Sequence, residues 1–179
     1  MGKRVEIRQI TEKDADKLYN LIEKNKAFLS TWMDFFEKVD KNSVVYSIEK
    51  WKKSMILGES FEFGIFLNND IIGMVSLVIE KDGNIADLGY WLGEEYTKNG
   101  YATEAVSYVL EFAFTFLSLN KVQIKVHEDN FKSQNIPKRL GFRYDAILRE
   151  HQRLHGRYVN LFLFSMLRRE WNELWKKTN

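Results

Sequence analysis

The segment from Leu88 to Val109 constrains the fold more than any other part of the chain. It reads LGYWLGEEYTKNGYATEAVSYV, which predicts a buried strand, a short polar loop and a helix with small residues in its first turn. The first backbone N–H groups of a helix have no partner within it, and with the helix dipole they form a site for phosphate. Gly100 and Ala102 leave room for a large anion, and Lys98 adds positive charge. The segment therefore predicts a ligand that carries a diphosphate.

The well-known nucleotide loops do not account for this segment. Neither a G-x-x-x-x-G-K-[ST] phosphate loop nor a G-x-G-x-x-G dinucleotide fingerprint occurs in the chain. A single glycine at position 100 is also compatible with a plain tight turn between a strand and a helix, so this reading stays open beside phosphate binding.

Composition limits the remaining choices. A length of 179 residues fits one domain, residues 1–179, and the net charge of +2 comes without a basic block, so we expect no direct nucleic-acid partner. The chain has no cysteine and three histidines, which argues against a thiolate nucleophile and against a metal site. It has neither an apolar signal core nor a membrane-length apolar run, so we expect no membrane partner and a cytoplasmic location.

The first half of the chain predicts helices followed by a β-meander. Thr11 and Asp14 resemble a capping box that opens a helix, and Asn42-Ser43 would cap a second one. Alternating or continuous apolar residues then predict three strands joined by two turns: 61–67, 71–79 and 85–92, with turns at 68–70 and 81–84. Trp32 and Phe36 belong to an aromatic patch between the two helices, which would either fill the core or wall a substrate cleft.

The second half favours a crossover connection followed by a hairpin. The apolar stripe from Ala102 to Phe116 predicts a helix, and residues 122–126 predict a strand parallel to the one that ends at Leu92. Asn130 and Ser133 would cap the next helix, in which Pro137 favours a short or distorted geometry. Two strands and a terminal helix follow, at 143–149, 157–167 and 170–177.

The order of these elements and the local motifs resemble the GNAT superfamily of acetyl-CoA-dependent N-acetyltransferases. Residues 97–102, TKNGYA, are similar to its Gln/Arg-x-x-Gly-x-Gly/Ala cofactor loop, with Thr97 departing at the first position. The chain looks most like the RimJ/RimL group, which acetylates the N-termini of ribosomal proteins. The resemblance implies an α/β (α+β) fold in which helices flank a mixed, mostly antiparallel sheet of about seven strands, splayed between the fourth and fifth strands.

The resemblance also implies a set of site residues. Those expected to bind acetyl-CoA are Leu92, Gly93, Lys98, Asn99, Gly100, Tyr101, Ala102, Thr103, Asn130 and Ser133. The resemblance implies that the main chain of Leu92 and Gly93 holds the pantetheine arm. The residues expected at the acceptor are Trp32, Phe36 and Tyr90.

Catalytic roles follow from the same resemblance. Many GNAT enzymes carry a tyrosine acid where this chain has Pro137, so Ser133 is expected to meet the departing sulfur, as in RimL-like enzymes; a helix cap is its alternative role. The group's proposed glutamate base corresponds to Gln152, which cannot take a proton. Glu150 and Asp87 are the candidate carboxylates in its place, and either could equally be a structural charge.

The expected reaction is acetyl transfer to a primary amine, most simply the α-amino group of a ribosomal protein, by direct attack in a ternary complex. A polyamine or aminoglycoside acceptor, and a non-catalytic acyl-CoA-binding module, are the alternatives. Homodimers occur in the resembling group, so a dimer is a further expectation.

Overall fold

The computed structural model describes residues 4–80 and 84–178, and within them the chain forms seven strands and five α-helices. The strands are β1 (Glu6–Gln9), β2 (Ser60–Leu67), β3 (Asp70–Glu80), β4 (Ile85–Leu92), β5 (Lys121–His127), β6 (Arg143–Leu154) and β7 (Arg157–Leu167). The helices are α1 (Ala15–Ser30), α2 (Lys41–Ile56), α3 (Tyr101–Glu111), α4 (Phe131–Leu140) and α5 (Arg168–Thr178). None of the described helices has the length and apolar character needed to cross a bilayer.

All seven strands form one sheet in the order β1-β2-β3-β4-β5-β7-β6. Every neighbouring pair is antiparallel except β4 and β5, which are parallel. The parallel pair is in register only from Ile85 to Asp87, opposite Lys121 to Gln123, and further along the two strands separate. The sheet is therefore mixed and splayed between its fourth and fifth strands, as predicted.

Helices cover both faces of the sheet and enclose two apolar clusters. On one face α3 packs through Ala105 and Val109 against Val75 and Leu88. On the other face α1 and α2 pack through Leu18 and Ile48 against residues of β2 and β3. This division places the start of α3 and the α1–α2 pair on opposite sides of the sheet, with α3 against β3 and β4 and the α1–α2 pair against β2 and β3.

Helix starts agree with the sequence except at α2 and at α5, which begins at Arg168, two residues before the predicted start at Glu170. The Thr11–Asp14 capping box forms and leads into α1. The predicted cap at Asn42-Ser43 is wrong by two residues, because α2 begins at Lys41 and the Asp40 carboxylate accepts from the Ser43 N–H at 2.7 Å. An aspartate accepts an N3 amide as well as any cap residue does, so the two positions could not be separated from the pattern.

The turns and the second half also match in outline. Asn68 and Asn69, both at positive φ, make the tight β2–β3 turn, whereas the predicted turn at 81–84 falls largely on residues 81–83, outside the described part. Strand β6 continues to Leu154, five residues beyond its predicted end at Arg149. Helix α4 is short, at ten residues, and continues through Pro137.

Candidate active site

The loop before α3 presents a row of backbone donors to solvent. Gly100 is the N-cap residue with φ +82, and no side chain caps the helix. The first helical hydrogen bond runs from the Glu104 N–H to the Gly100 carbonyl at 3.0 Å. None of the six amides from 98 to 103 donates to any residue that the structure describes. A diphosphate fits such a row of unpaired donors at a positive helix end.

The side chains of this loop leave the amides accessible. Lys98 is exposed and has φ +67, while Asn99 is exposed with its side-chain amide donating to the Thr97 carbonyl at 3.1 Å. Ala102 is buried against the core, so its small side chain does not cover the helix start. The predicted grouping of these residues around one anion-sized opening is consistent with this geometry, and their contacts with a cofactor remain predictions.

Arg4 braces the loop from outside, and sequence reasoning missed it. Its guanidinium donates to the Asn99 carbonyl at 2.9 Å, pairs with Glu104 at 3.3 Å and lies 5.1 Å from the Tyr101 ring centroid. The Glu104 carboxylate also accepts from the Val5 N–H at 3.1 Å. A single arginine far away in sequence carries no motif, so only the folded contact identifies it.

The free edge of β4 adjoins this loop. Beyond Asp87 its side facing β5 has no strand partner in the described residues, which leaves main-chain donors and acceptors for an extended ligand. Leu92, the last residue of β4, is buried. The Gly93 N–H donates to the Ile72 carbonyl at 2.9 Å, and its carbonyl accepts from Tyr96 at 3.0 Å. A pantetheine contact at Gly93 would therefore use the second lone pair of that carbonyl.

Ser133 and Tyr90 form a pair of hydroxyls across the cleft. Ser133 Oγ donates to Tyr90 Oη at 3.0 Å, and Tyr90 Oη donates to the Ser133 carbonyl at 2.9 Å. Burial raises the pKa of the Tyr90 hydroxyl, so it stays protonated near neutral pH. Asn130 caps α4 by accepting from the Ser133 N–H at 3.1 Å. Ser133 thus lies at a helix start, and its own hydroxyl is free of that cap.

Pro137 leaves the carbonyl that Tyr90 contacts without its usual helical donor. A residue at position 137 of a regular helix would donate to the Ser133 carbonyl, four residues earlier. Proline has no N–H, so that carbonyl lacks its usual donor. The Tyr90 hydroxyl supplies it from β4.

A cavity of about 490 Å³ opens on the α1–α2 side of the sheet. Its walls include Phe36, Trp51 and Trp91 together with Tyr90, which links it to the hydroxyl pair. Phe36 and Trp91 contact edge to face, with centroids 5.4 Å apart. Trp32 is not among the lining residues and packs instead on His127, at 5.3 Å. Of the three predicted acceptor residues, Phe36 and Tyr90 therefore share the cavity.

The two predicted carboxylates lie in different surroundings. Asp87 accepts from Lys125 Nζ at 2.8 Å, while its Oδ1 is buried without a partner among the described residues. Glu150 is exposed, has φ +50 where the β6–β7 register shifts, and does not line the cavity. Gln152, two residues later in β6, pairs with Val159 of β7. The structure adds a carboxylate that sequence reasoning did not single out, Glu62 of β2, in the cavity wall.

Comparison with known proteins adds a family and named relatives. The model of a family described as "Acetyltransferase (GNAT) domain" matches residues 4–143. "Putative ribosomal N-acetyltransferase YdaF" of Bacillus subtilis is 30% identical over 96% of this chain and 95% of its own length. "Ribosomal-protein-serine acetyltransferase" of Escherichia coli is 25% identical over 91% and 92%. A solved structure of RimL, described as a ribosomal L7/L12 acetyltransferase in complex with coenzyme A, superposes with a TM-score of 0.88 at 21% identity, covering 93% and 95%.

Proposed function

The chain belongs to the GNAT acetyltransferase family, and on that premise we propose that it acetylates the free α-amino group of a protein N-terminus, with a ribosomal protein as acceptor. The observation that carries the proposal is the arrangement around β4. Unpaired amides lie at one end of the splayed cleft, the Ser133–Tyr90 pair bridges it, and an apolar cavity reaches Tyr90 from the other face.

The family's cosubstrate fits the residues present. When bound, acetyl-CoA supplies the acetyl group as a thioester. The amides of residues 98–103 and the exposed Lys98 would hold its diphosphate, and the free edge of β4 would orient its extended arm. Arg4 and Glu104 keep the loop and the start of α3 in one arrangement, so these donors need little reorganisation.

The chain's own hydroxyls would manage the leaving sulfur. Ser133 Oγ carries a proton that it directs to Tyr90, and Tyr90 in turn is held by the Ser133 carbonyl. Turned toward the cleft, the Ser133 hydroxyl gives its proton to the sulfur, and the second proton lost by the amine nitrogen restores it, while the Tyr90 hydroxyl stays protonated. Because the sequence has no cysteine, transfer proceeds by direct attack of the amine in a ternary complex.

The acceptor assignment rests on the relatives' names and on the cavity. Relatives named for ribosomal-protein acetylation cover nearly the whole chain, and a ribosomal acceptor implies a cytoplasmic location. A polyamine would favour a cleft lined with several carboxylates, whereas Glu62 is the single acidic residue in the cavity wall. Lack of a direct nucleic-acid contact and formation of a homodimer remain predictions.

A direct assay tests this function. Purified protein is mixed with acetyl-CoA and, separately, with octapeptides that begin with serine or alanine, with the same peptides blocked at the α-amino group, and with spermidine. We expect release of thiol that depends on the free α-amino group, and mass spectrometry should locate one acetyl group there. Acetylation of spermidine but of neither peptide would assign the chain to small amines, and thiol release independent of any acceptor would indicate a module that does not transfer.

A further inference from the structure

Glu62 is a carboxylate embedded in the wall of the apolar cavity. It lies in β2 opposite Ser76 of β3, which in turn lies opposite Gly89 of β4. All three residues line the cavity, so they form a row across the sheet on the face covered by α1 and α2. Neighbouring strands are about 4.8 Å apart, so the row takes Glu62 to within roughly 10 Å of the β4 backbone next to Tyr90.

The Glu62 carboxylate has no partner among residues 4–80 and 84–178. No hydrogen bond or ion pair reaches it from any residue that the structure describes. The elements packed around it, α1, α2 and β3, contribute apolar side chains and serines to the cavity, and the other charged lining residue is the exposed Lys38. An unpaired carboxylate that is half-buried among apolar side chains is unfavourable, and a cation that enters the cavity would relieve this cost.

We infer that, in the N-terminal acetylation proposed above, the Glu62 carboxylate receives the acceptor's ammonium group and takes one proton from it. This assigns the acceptor amine to the Glu62 end of the cavity and gives the chain a base although Gln152 cannot serve as one. The inference rests on the proposed function, because it concerns the amine of that reaction.

The proton balance of the step is complete without another reagent. The ammonium gives one proton to Glu62 and becomes a neutral amine. Its nitrogen then forms the bond to the acetyl carbon while the carbon–sulfur bond breaks. The sulfur gains a proton from the Ser133 hydroxyl, and the second proton lost by the nitrogen restores that hydroxyl. When the product leaves, Glu62 releases its proton to water.

The environment of Glu62 suits an α-amino group better than a lysine side chain. Burial raises the pKa of the Glu62 carboxyl to about 7. An α-amino group has a pKa of about 8, so transfer of its proton to Glu62 is nearly balanced, whereas a lysine ammonium at about 10.4 holds its proton much more strongly. Glu62 therefore favours free N-termini over lysines within the same peptide.

The test compares Glu62→Gln with Glu59→Gln, a matched change at an exposed position just before the same strand. With acetyl-CoA and the serine octapeptide, Glu62→Gln should lower kcat at about pH 7 by about 100-fold, the scale of a general base. The acid limb of the kcat/KM profile reports the free enzyme, so its midpoint should lie near 7 in the wild type and move to the peptide's own α-amino pKa near 8 in the variant. Glu59→Gln should keep the wild-type profile.

A binding measurement separates this role from a structural one. With coenzyme A present, calorimetry should show that the wild type prefers the octapeptide with a free α-amino group over its N-acetylated form, and that Glu62→Gln loses this preference. Its thermal midpoint should not fall, because the substitution removes a half-buried charge that no described residue pairs with. If Glu62→Gln keeps the wild-type kcat, the wild-type acid limb and the wild-type preference for a free α-amino group, the inference is overturned and the proposed function still stands. A wild type that acetylates neither peptide would overturn the function and the inference with it.

Discussion

Ser133 and Tyr90 are joined by two hydrogen bonds, one between their hydroxyls at 3.0 Å and one from Tyr90 Oη to the Ser133 carbonyl at 2.9 Å. The pair connects the two arms of the splayed sheet, since Tyr90 belongs to β4 and Ser133 to the helix that follows β5. It places two protonated hydroxyls between the two arms.

The first prediction concerns this pair. Ser133→Ala removes the proton donor and should lower kcat by about 100-fold, whereas Tyr90→Phe removes its partner and should lower kcat about tenfold. Coenzyme A affinity, measured by calorimetry, should change little in either variant. Ser107→Ala deletes a serine hydroxyl bonded within α3 and serves as the control. Full activity of Ser133→Ala would remove this residue from the mechanism.

The second prediction concerns Pro137. Pro137→Ala restores an N–H that competes with Tyr90 for the Ser133 carbonyl, so kcat should fall about threefold to tenfold. The free energy of unfolding should stay the same or increase, because alanine suits a helix interior better than proline.

A double-mutant cycle supplies the control for Pro137. In a Tyr90→Phe background the same Pro137→Ala change should have no further effect on kcat, because the competing hydroxyl is already absent. Equal effects in both backgrounds would show that Pro137 acts independently of Tyr90.

The third prediction concerns Gly100. Alanine there meets a left-handed φ of +82 and places its Cβ 3.1 Å from Arg4 Nη2, which should distort the loop and weaken coenzyme A binding about tenfold. Gly58→Ala provides a matched control, since Gly58 has φ +69 and open space around it. Both variants should lose stability, but only Gly100→Ala should lose affinity. Equal affinities would argue against a role for this loop.

The fourth prediction concerns stability and pH. Asp14 accepts two hydrogen bonds from Arg8, at 2.9 and 2.8 Å, and two more from Thr11. The Arg8 guanidinium, helped by Thr11, holds the pKa of the Asp14 carboxyl well below its usual range. A lowered pKa stabilises the fold above the ordinary value for aspartate, and this contribution is lost as the pH falls below about 4.

Asp14→Asn should therefore cost about 1–3 kcal/mol of unfolding free energy at neutral pH. Chemical denaturation over a series of pH values should show the gap to wild type shrinking in acid. Glu12→Gln, at an exposed neighbouring position, should show no such gap. A gap for Asp14→Asn that is independent of pH would contradict the assigned ion pair.

The sequence indicated the parts of this site that depend on local pattern. The bounds of β4, the glycine before α3 and the Asn130 cap follow from alternation and from backbone conformations that few residues adopt. Tyr90 was expected at the acceptor, but its contact with Ser133 depends on a carbonyl freed by Pro137 in another element. Pairing across the cleft leaves no periodic signal along the chain.

Glu62 shows a second limit of sequence reasoning. Phe61, Phe63 and Ile65 alternate along β2, so the intervening Glu62 reads as a residue on a solvent-facing side. In the fold that side faces α1 and α2, whose aromatic neighbours enclose a cavity rather than a fully packed layer. Alternation along a strand predicts which residues lie on the same face of the sheet, but it does not predict what packs over that face.

The most direct test of the account follows the backbone amides of residues 98–103 by nuclear magnetic resonance while coenzyme A is added. These amides donate to no described protein residue, so we expect large shifts that saturate together and slower exchange with water, while the Gly58 amide stays unchanged. Saturating coenzyme A binding that leaves all six amides unmoved would contradict it.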